Sequence, residues 1–300
     1  MHPECRPNTS RFVASWVVED EATTDSRRRT ATADRIAAWS VRIAWIVAAL
    51  AASGSSATWW VGWIVVAVAS IVLHPTSLSV VRIVAPLVFV ETVAHLTSDV
   101  RDVVVTTAIA TAIVVSFSAE YGRGHVQAAA YGAERRHMLR PPAAALFVTV
   151  AAWVVVAALL VTTNLVDVVA SSQWLDITIR IVVAVLAAAL AYRATTLARR
   201  WFVVVPAGVV IHDPLLLTDS IMIPRRDVTS LGADAVAATG ALDVTGATWG
   251  PSVVVTAREA CDVSLTDFGA RLMRTGTRLH AGAVRFAPSR PGAAITDALR

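Results

Sequence analysis

Six continuous apolar runs dominate the chain, at residues 36–52, 58–73, 80–96, 103–117, 141–162 and 174–192. Each approaches the roughly twenty residues needed to cross about 30 Å of hydrocarbon. Val and Ile are abundant in them, which in water favours strands. No alternation of polar and apolar positions accompanies them, however, so the runs predict helices in lipid, where each backbone group must bond within its own segment. Gly54-Ser55-Ser56 predicts a tight turn after the first run, and His74-Pro75 a break after the second. A polar loop, Ser118 to Arg140, separates the fourth run from the fifth, which opens on Pro141-Pro142.

After residue 198 the pattern changes. Short β-branched segments at 201–205, 209–212, 220–223, 241–244, 252–256, 261–265 and 283–286 are punctuated by Gly, Pro and Asp, which predicts a small barrel or sandwich. Residues 291–299 predict a closing helix with Pro291 near its start. The expected organisation is a disordered tail over 1–34, a membrane α-helical bundle of six transmembrane helices over 35–198, and a small β-rich cytoplasmic domain over 199–300.

Composition sharpens this reading. Of 300 residues 56% are hydrophobic and 16% charged, and the mean hydropathy is +0.61. Soluble domains carry about a quarter charged residues. All 26 basic residues are Arg, and with abundant Ala and Val this fits a GC-rich bacterial genome. The net charge of +4 does not point to nucleic acid, because the Arg residues sit beside the runs. Arg6, Arg11, Arg27, Arg28, Arg29, Arg35, Arg82, Arg123, Arg135, Arg136, Arg140, Arg193, Arg199 and Arg200 all fall on one side of a six-span topology. Arg101 stands on the other side, with Asp99, Asp102, Asp167 and Asp176. Positive charge stays inside, so both termini are expected in the cytoplasm of a bacterial cell. Trp59, Trp60, Trp63, Trp174 and Trp201 stand at expected interfaces. The acidic stretch with Glu19, Asp20, Glu21 and Asp25 excludes a secretory signal. Cys5 and Cys261, both expected in the cytoplasm, are read as free thiols.

Residues 201–212, Trp-Phe-Val-Val-Val-Pro-Ala-Gly-Val-Val-Ile-His, followed by Ile223-Pro224-Arg225-Arg226-Asp227-Val228, resemble the first half of a bacterial pleckstrin-homology-like domain. That resemblance implies a bent seven-stranded barrel closed by a C-terminal helix. Tyr131-Gly-Ala-Glu134-Arg135-Arg136 and Leu139-Arg-Pro-Pro142 resemble the central loop of an uncharacterised family of actinobacterial multi-pass membrane proteins. Neither resemblance carries functional residues to this chain.

Candidate chemistry is sparse. Glu91 lies near the middle of the third run, where a charge costs roughly 2.5–3.5 kcal/mol on insertion scales. His95 follows four residues later on the same face, and Arg180 in the sixth run lies at a reachable depth. The three admit a proton or ion relay through Glu91 and His95. They also admit a structural pair of Glu91 with Arg180, or a neutral Glu91 bonded to a backbone carbonyl. Thr106, Thr107, Thr111 and Ser116 are either a polar path or backbone-bonded hydroxyls. Arg123, Arg135, Arg136 and Arg140 either only set topology, or dock to the C-terminal domain, or contact anionic lipid headgroups or a protein partner. Arg225 and Arg226 are a similar pair in a turn. No metalloprotease, phosphate-loop or nucleophile-elbow signature is present, and the seven His residues show no metal spacing. No cofactor, metal or catalytic residue is expected. Two functional readings stay open: a non-enzymatic, membrane-anchored interaction or scaffold component, and a transporter or channel-like protein using Glu91.

Overall fold

The computed structural model describes residues 9–52, 56–169, 173–233 and 240–300. Cys5, the expected turn at Gly54-Ser55 and Ser172 lie outside the described residues. Helix α1 (Thr9–Ala51) is followed by α2 (Ala57–Ile71), α3 (Pro75–Ala94), α4 (Val100–Ser116), α5 (Ala119–Gln127), strand β1 (Arg135–Met138), α6 (Ala143–Val169) and α7 (Gln173–Ala198). Most of the expected tail is therefore helical, continuing without interruption into the first apolar run.

Local chemistry sets the helix boundaries. The Ser56 hydroxyl accepts from the Trp59 amide at 3.0 Å and starts α2. His74 caps α3, with Pro75 as its first residue, a position where the missing N–H costs nothing. α3 thus begins five residues earlier than its apolar run suggests. Ser118 starts α5 at a 63° bend from α4. Arg82 from α3 donates to the carbonyl of Ser116 at 3.0 Å, satisfying an acceptor that the end of α4 leaves open, and to that of Ser118, the cap of α5, at 3.4 Å.

Among the described residues, Pro75–Ala94, Ala143–Thr162 and Ile177–Ala198 are long and apolar enough to cross a membrane. The bent α4–α5 pair makes a fourth if taken as one span. α2 has 15 residues, about 22 Å at 1.5 Å per residue, and the apolar part of α1 is interrupted by Arg42.

The helices pack around α3. One core joins Val41 and Trp45 of α1, Val66 of α2, Leu78 and Val81 of α3, and Ile109 of α4. A second joins Ile83 and Leu87 of α3, Val156 and Leu160 of α6, and Val183 and Leu190 of α7. The indoles of Trp45 and Trp63 each donate to the other residue's carbonyl at 2.9 Å, so neither N–H faces hydrocarbon unpaired.

Beyond α7 the chain forms β2 (Trp201–Val205), β3 (Gly208–His212), β4 (Ile221–Pro224), β5 (Val228–Ala233), β6 (Leu242–Asp243), β7 (Val253–Ser264), α8 (Asp267–Met273), β8 (Arg278–Phe286) and α9 (Pro291–Ala298). The expected barrel is not closed: the described strands lie in two four-stranded sheets, ordered β1-β2-β3-β4 and β5-β7-β8-β6. Closure requires edge strands to pair, and a turn at Arg225–Asp227 separates β4 from β5 without a ladder between them. The stacked rings of Phe202 and Phe286, 4.6 Å apart, join the two sheets in one core. β7 unites two expected strands in one, with an irregularity between Thr256 and Cys261.

The central loop departs most from expectation. It holds α5 and β1, and β1 pairs antiparallel with β2 from Arg135↔Val204 to Met138↔Trp201. The first sheet is thus completed by a strand lying between the helices in sequence.

Candidate functional site

Residues 138–143, which lead from β1 into α6, tie the sheets to one end of the helices. Leu139 N donates to Arg200 O at 2.9 Å, Arg140 N to Ala287 O at 2.8 Å, Ser289 N to Met138 O at 2.8 Å, and Ala143 N to Gly246 O at 3.1 Å. The Arg140 guanidinium donates to the carbonyls of Trp249 and Pro251. Arg200 is fully buried, with Nε 2.8 Å from Asp213 Oδ1 and Nη2 2.6 Å from Oδ2. Its third nitrogen, Nη1, donates to Arg140 O at 2.5 Å. This forked pair is the strong form of a charge-assisted bond. It joins the end of α7, the loop after β3 and the loop before α6 at one point.

Beside this junction lies a cavity of about 480 Å³ between α1, α5, β1 and α9. Five guanidinium groups line it, those of Arg123, Arg135, Arg136, Arg290 and Arg300, against the carboxylates of Asp34 and Asp297. Arg123 is held by Asp34, with Nε 2.9 Å from Oδ2. Arg136 is held by Glu134 at 2.8 Å and lies over the Trp201 ring. Arg290 pairs with Glu120 of α5. His137 Nε2 approaches Asp297 Oδ2 at 3.2 Å, while Arg300 Nη1 stands 3.9 Å from Oδ1. The His137 ring beside it holds the Asp297 carboxyl below the usual range, helped by the charges of Arg135 and Arg300 against the opposing effect of burial. The bond from Arg136 does the same for Glu134.

The opposite end of the helices carries the other polar group. Glu91 lies in the last turn of α3, not near its middle, because α3 runs from Pro75 and ends at Ala94. It is 2% exposed. Ser56 Oγ donates to its Oε1 at 2.8 Å, and His95 Nε2 stands 3.9 Å from the same oxygen. Glu91 and His95 line a cavity of about 430 Å³ with Asp99 and Asp102. Glu91 also lines a longer apolar groove of about 550 Å³ between α2, α3 and α7, shared with Arg180 and Arg199. Arg180 Nη1 donates to Thr58 Oγ1 at 3.0 Å.

Of the arginines singled out in sequence, Arg123, Arg135 and Arg136 meet in the basic cavity. Arg140 faces a separate apolar cavity between α3, α6 and α7. Arg225 and Arg226 are remote, in the turn after β4, with Arg226 Nε 3.7 Å from Asp227. Asp34, Arg290, Asp297 and Arg300 were not foreseen as partners; the only sequence signal was the closing helix that carries Asp297. The hydroxyls of Thr106, Thr111 and Ser116 donate to carbonyls of their own helix, so these three are backbone-bonded. Comparison with protein-family models, curated proteins and solved structures finds no match to this chain.

Proposed function

We propose that this chain is a non-enzymatic, membrane-anchored interaction component of a bacterial cytoplasmic membrane, with six spans and both termini in the cytoplasm. The observation that carries the proposal is the junction at residues 138–143. Through it a sheet unit is fixed, by backbone and side-chain bonds, to one end of the apolar helices. A unit meant only to be tethered needs no such mount; one that presents a surface at a defined height above a bilayer does. The residues 36–51 of α1, together with α2, supply the two spans that complete six. Arg42 donates to Ser70 O at 3.0 Å, so its charge is bonded within the bundle. The basic residues gather at the sheet end, which sets that end inside. The run of strands β2 to β8 followed by the closing helix α9 supports reading the sheet unit as pleckstrin-homology-like, with its barrel open and β1 added.

The test is purification of the full chain in gentle detergent beside a chain truncated after Ala198, with co-purifying proteins identified by mass spectrometry. A stoichiometric partner lost on truncation is expected. The same proteins on both chains, or none on either, would contradict the proposal.

One observation favours a second reading, transport: Glu91 lines both the end cavity and the long groove. If Glu91 carries protons or ions, Glu91→Gln abolishes flux in proteoliposomes at unchanged thermal midpoint. If it is structural, the midpoint falls instead.

A further inference from the structure

We propose that the cavity between α1, α5, β1 and α9 is a binding site for a phosphate group, carried either by a lipid headgroup or by a small soluble anion. Its five guanidiniums are not equivalent. Arg123, Arg136 and Arg290 are held by Asp34, Glu134 and Glu120, and form fixed walls. Arg300 is only loosely ion-paired with Asp297, at 3.9 Å, without a hydrogen bond that would fix its fork. Arg135 makes no ion pair with any carboxylate among the described residues, although its charge acts on Asp297. Two planar forks are thus left for a further anion, and phosphate is the group they pair with bidentately.

The surroundings favour a small group over a peptide. Elements close the cavity on several sides, and its volume of about 480 Å³ suits a headgroup or a small phosphate compound. Its height also fits a lipid: Thr30 and Asp34 of the lining directly precede the apolar part of α1, which begins at Ile36. The two cavity walls that matter most, β1 and α9, come from distant parts of the sequence. A bound phosphate therefore bridges the central loop to the C-terminal helix and stiffens the junction beside it. The lipid source rests on the sheet end facing the inner leaflet; the soluble source does not.

The experiment uses the full chain and an Arg135→Gln/Arg300→Gln double variant, with Arg225→Gln/Arg226→Gln as a variant remote from the cavity. Pyrophosphate is titrated calorimetrically in a neutral detergent. Separately, nanodiscs of equal phosphatidylglycerol and phosphatidylcholine are examined by native mass spectrometry for the lipid that stays on the protein. Binding of pyrophosphate, or selective retention of phosphatidylglycerol, is expected for the native chain and for the remote variant, and identifies the source. The double variant should weaken that binding at least about tenfold, since two charge-assisted pairs to the phosphate are lost, at an unchanged thermal midpoint. Neither probe binding, equal binding by the double variant, or equal loss in the remote variant would overturn the site.

Discussion

The buried Arg200–Asp213 pair is the residue on which the architecture depends most. Asp213 receives two bonds from Arg200 and two more from the amides of Leu215 and Leu216. Removing one partner of such a pair leaves an uncompensated charge, at a cost of about 3–5 kcal/mol. Asp213→Ala should therefore lower the protein's thermal midpoint sharply, whereas Arg225→Ala on the surface should not; equal effects would contradict this assignment. His212 offers a pH test. Its ring stacks on Trp201 at 5.4 Å and bonds Ser220 Oγ at 2.8 Å. Burial is the main cause that pushes its pKa below the usual imidazole value, with Arg136 and Arg199 adding to it and Asp213 opposing. The folded protein thus favours the neutral ring, and the unfolded chain takes up a proton first as pH falls. Stability is full above about pH 6.5 and declines below it, down to the folded-state value. His212→Gln should flatten that part of the thermal midpoint's pH dependence; an unchanged slope between pH 7.5 and 5.5 would contradict it.

At the scale of elements, the helices were legible because long apolar runs have one solution in lipid. The strands after residue 200 were legible from β-branched runs between turns. β1 was not: three of its four residues are polar, its partner strand lies some sixty residues on, and a non-local ladder leaves no periodicity in so short a segment. β5, Val-Thr-Ser-Leu-Gly-Ala, was missed because half of it is poor in strand formers. Glu91 sits nearer one end of its helix than the apolar run suggests, because α3 starts at Pro75, before the run, and ends at Ala94, within it. The three arginines of the central loop were found, but not the partners that give their cavity its shape, since those come from α1 and α9. The pairing of β1 has a direct consequence. Residues 201–300 alone lack the strand on β2 and the buried side chain of Leu139. That fragment should show poorly dispersed amide spectra, and adding residues 134–141 as a peptide should sharpen them. A well-dispersed spectrum without the peptide would show that β1 is dispensable. The loop at Gly246 is equally placed: its φ is +64°, and an added Cβ would lie 2.5 Å from Pro142 Cβ. Gly246→Val should cost at least about 1–2 kcal/mol in backbone conformation alone and open the junction to proteolysis near residue 140; unchanged protease resistance would contradict the role given to this contact.

At the scale of the whole molecule, the structure is a helical bundle with a sheet unit fixed at one end and a buried acid near the other. The mount is made of backbone bonds at 138–143, so the sheet unit and the helices should unfold together. The account depends on which compartment each end faces. Single cysteines introduced at Ser55, Thr97, Ser172 and Thr275, in a chain whose own Cys5 and Cys261 are replaced by Ala, report this in intact cells with a membrane-impermeant maleimide. The account predicts labelling at Ser55, Thr97 and Ser172 and none at Thr275 until the membrane is permeabilised. Labelling at Thr275 in intact cells, or protection at any of the other three that permeabilisation removes, would contradict it.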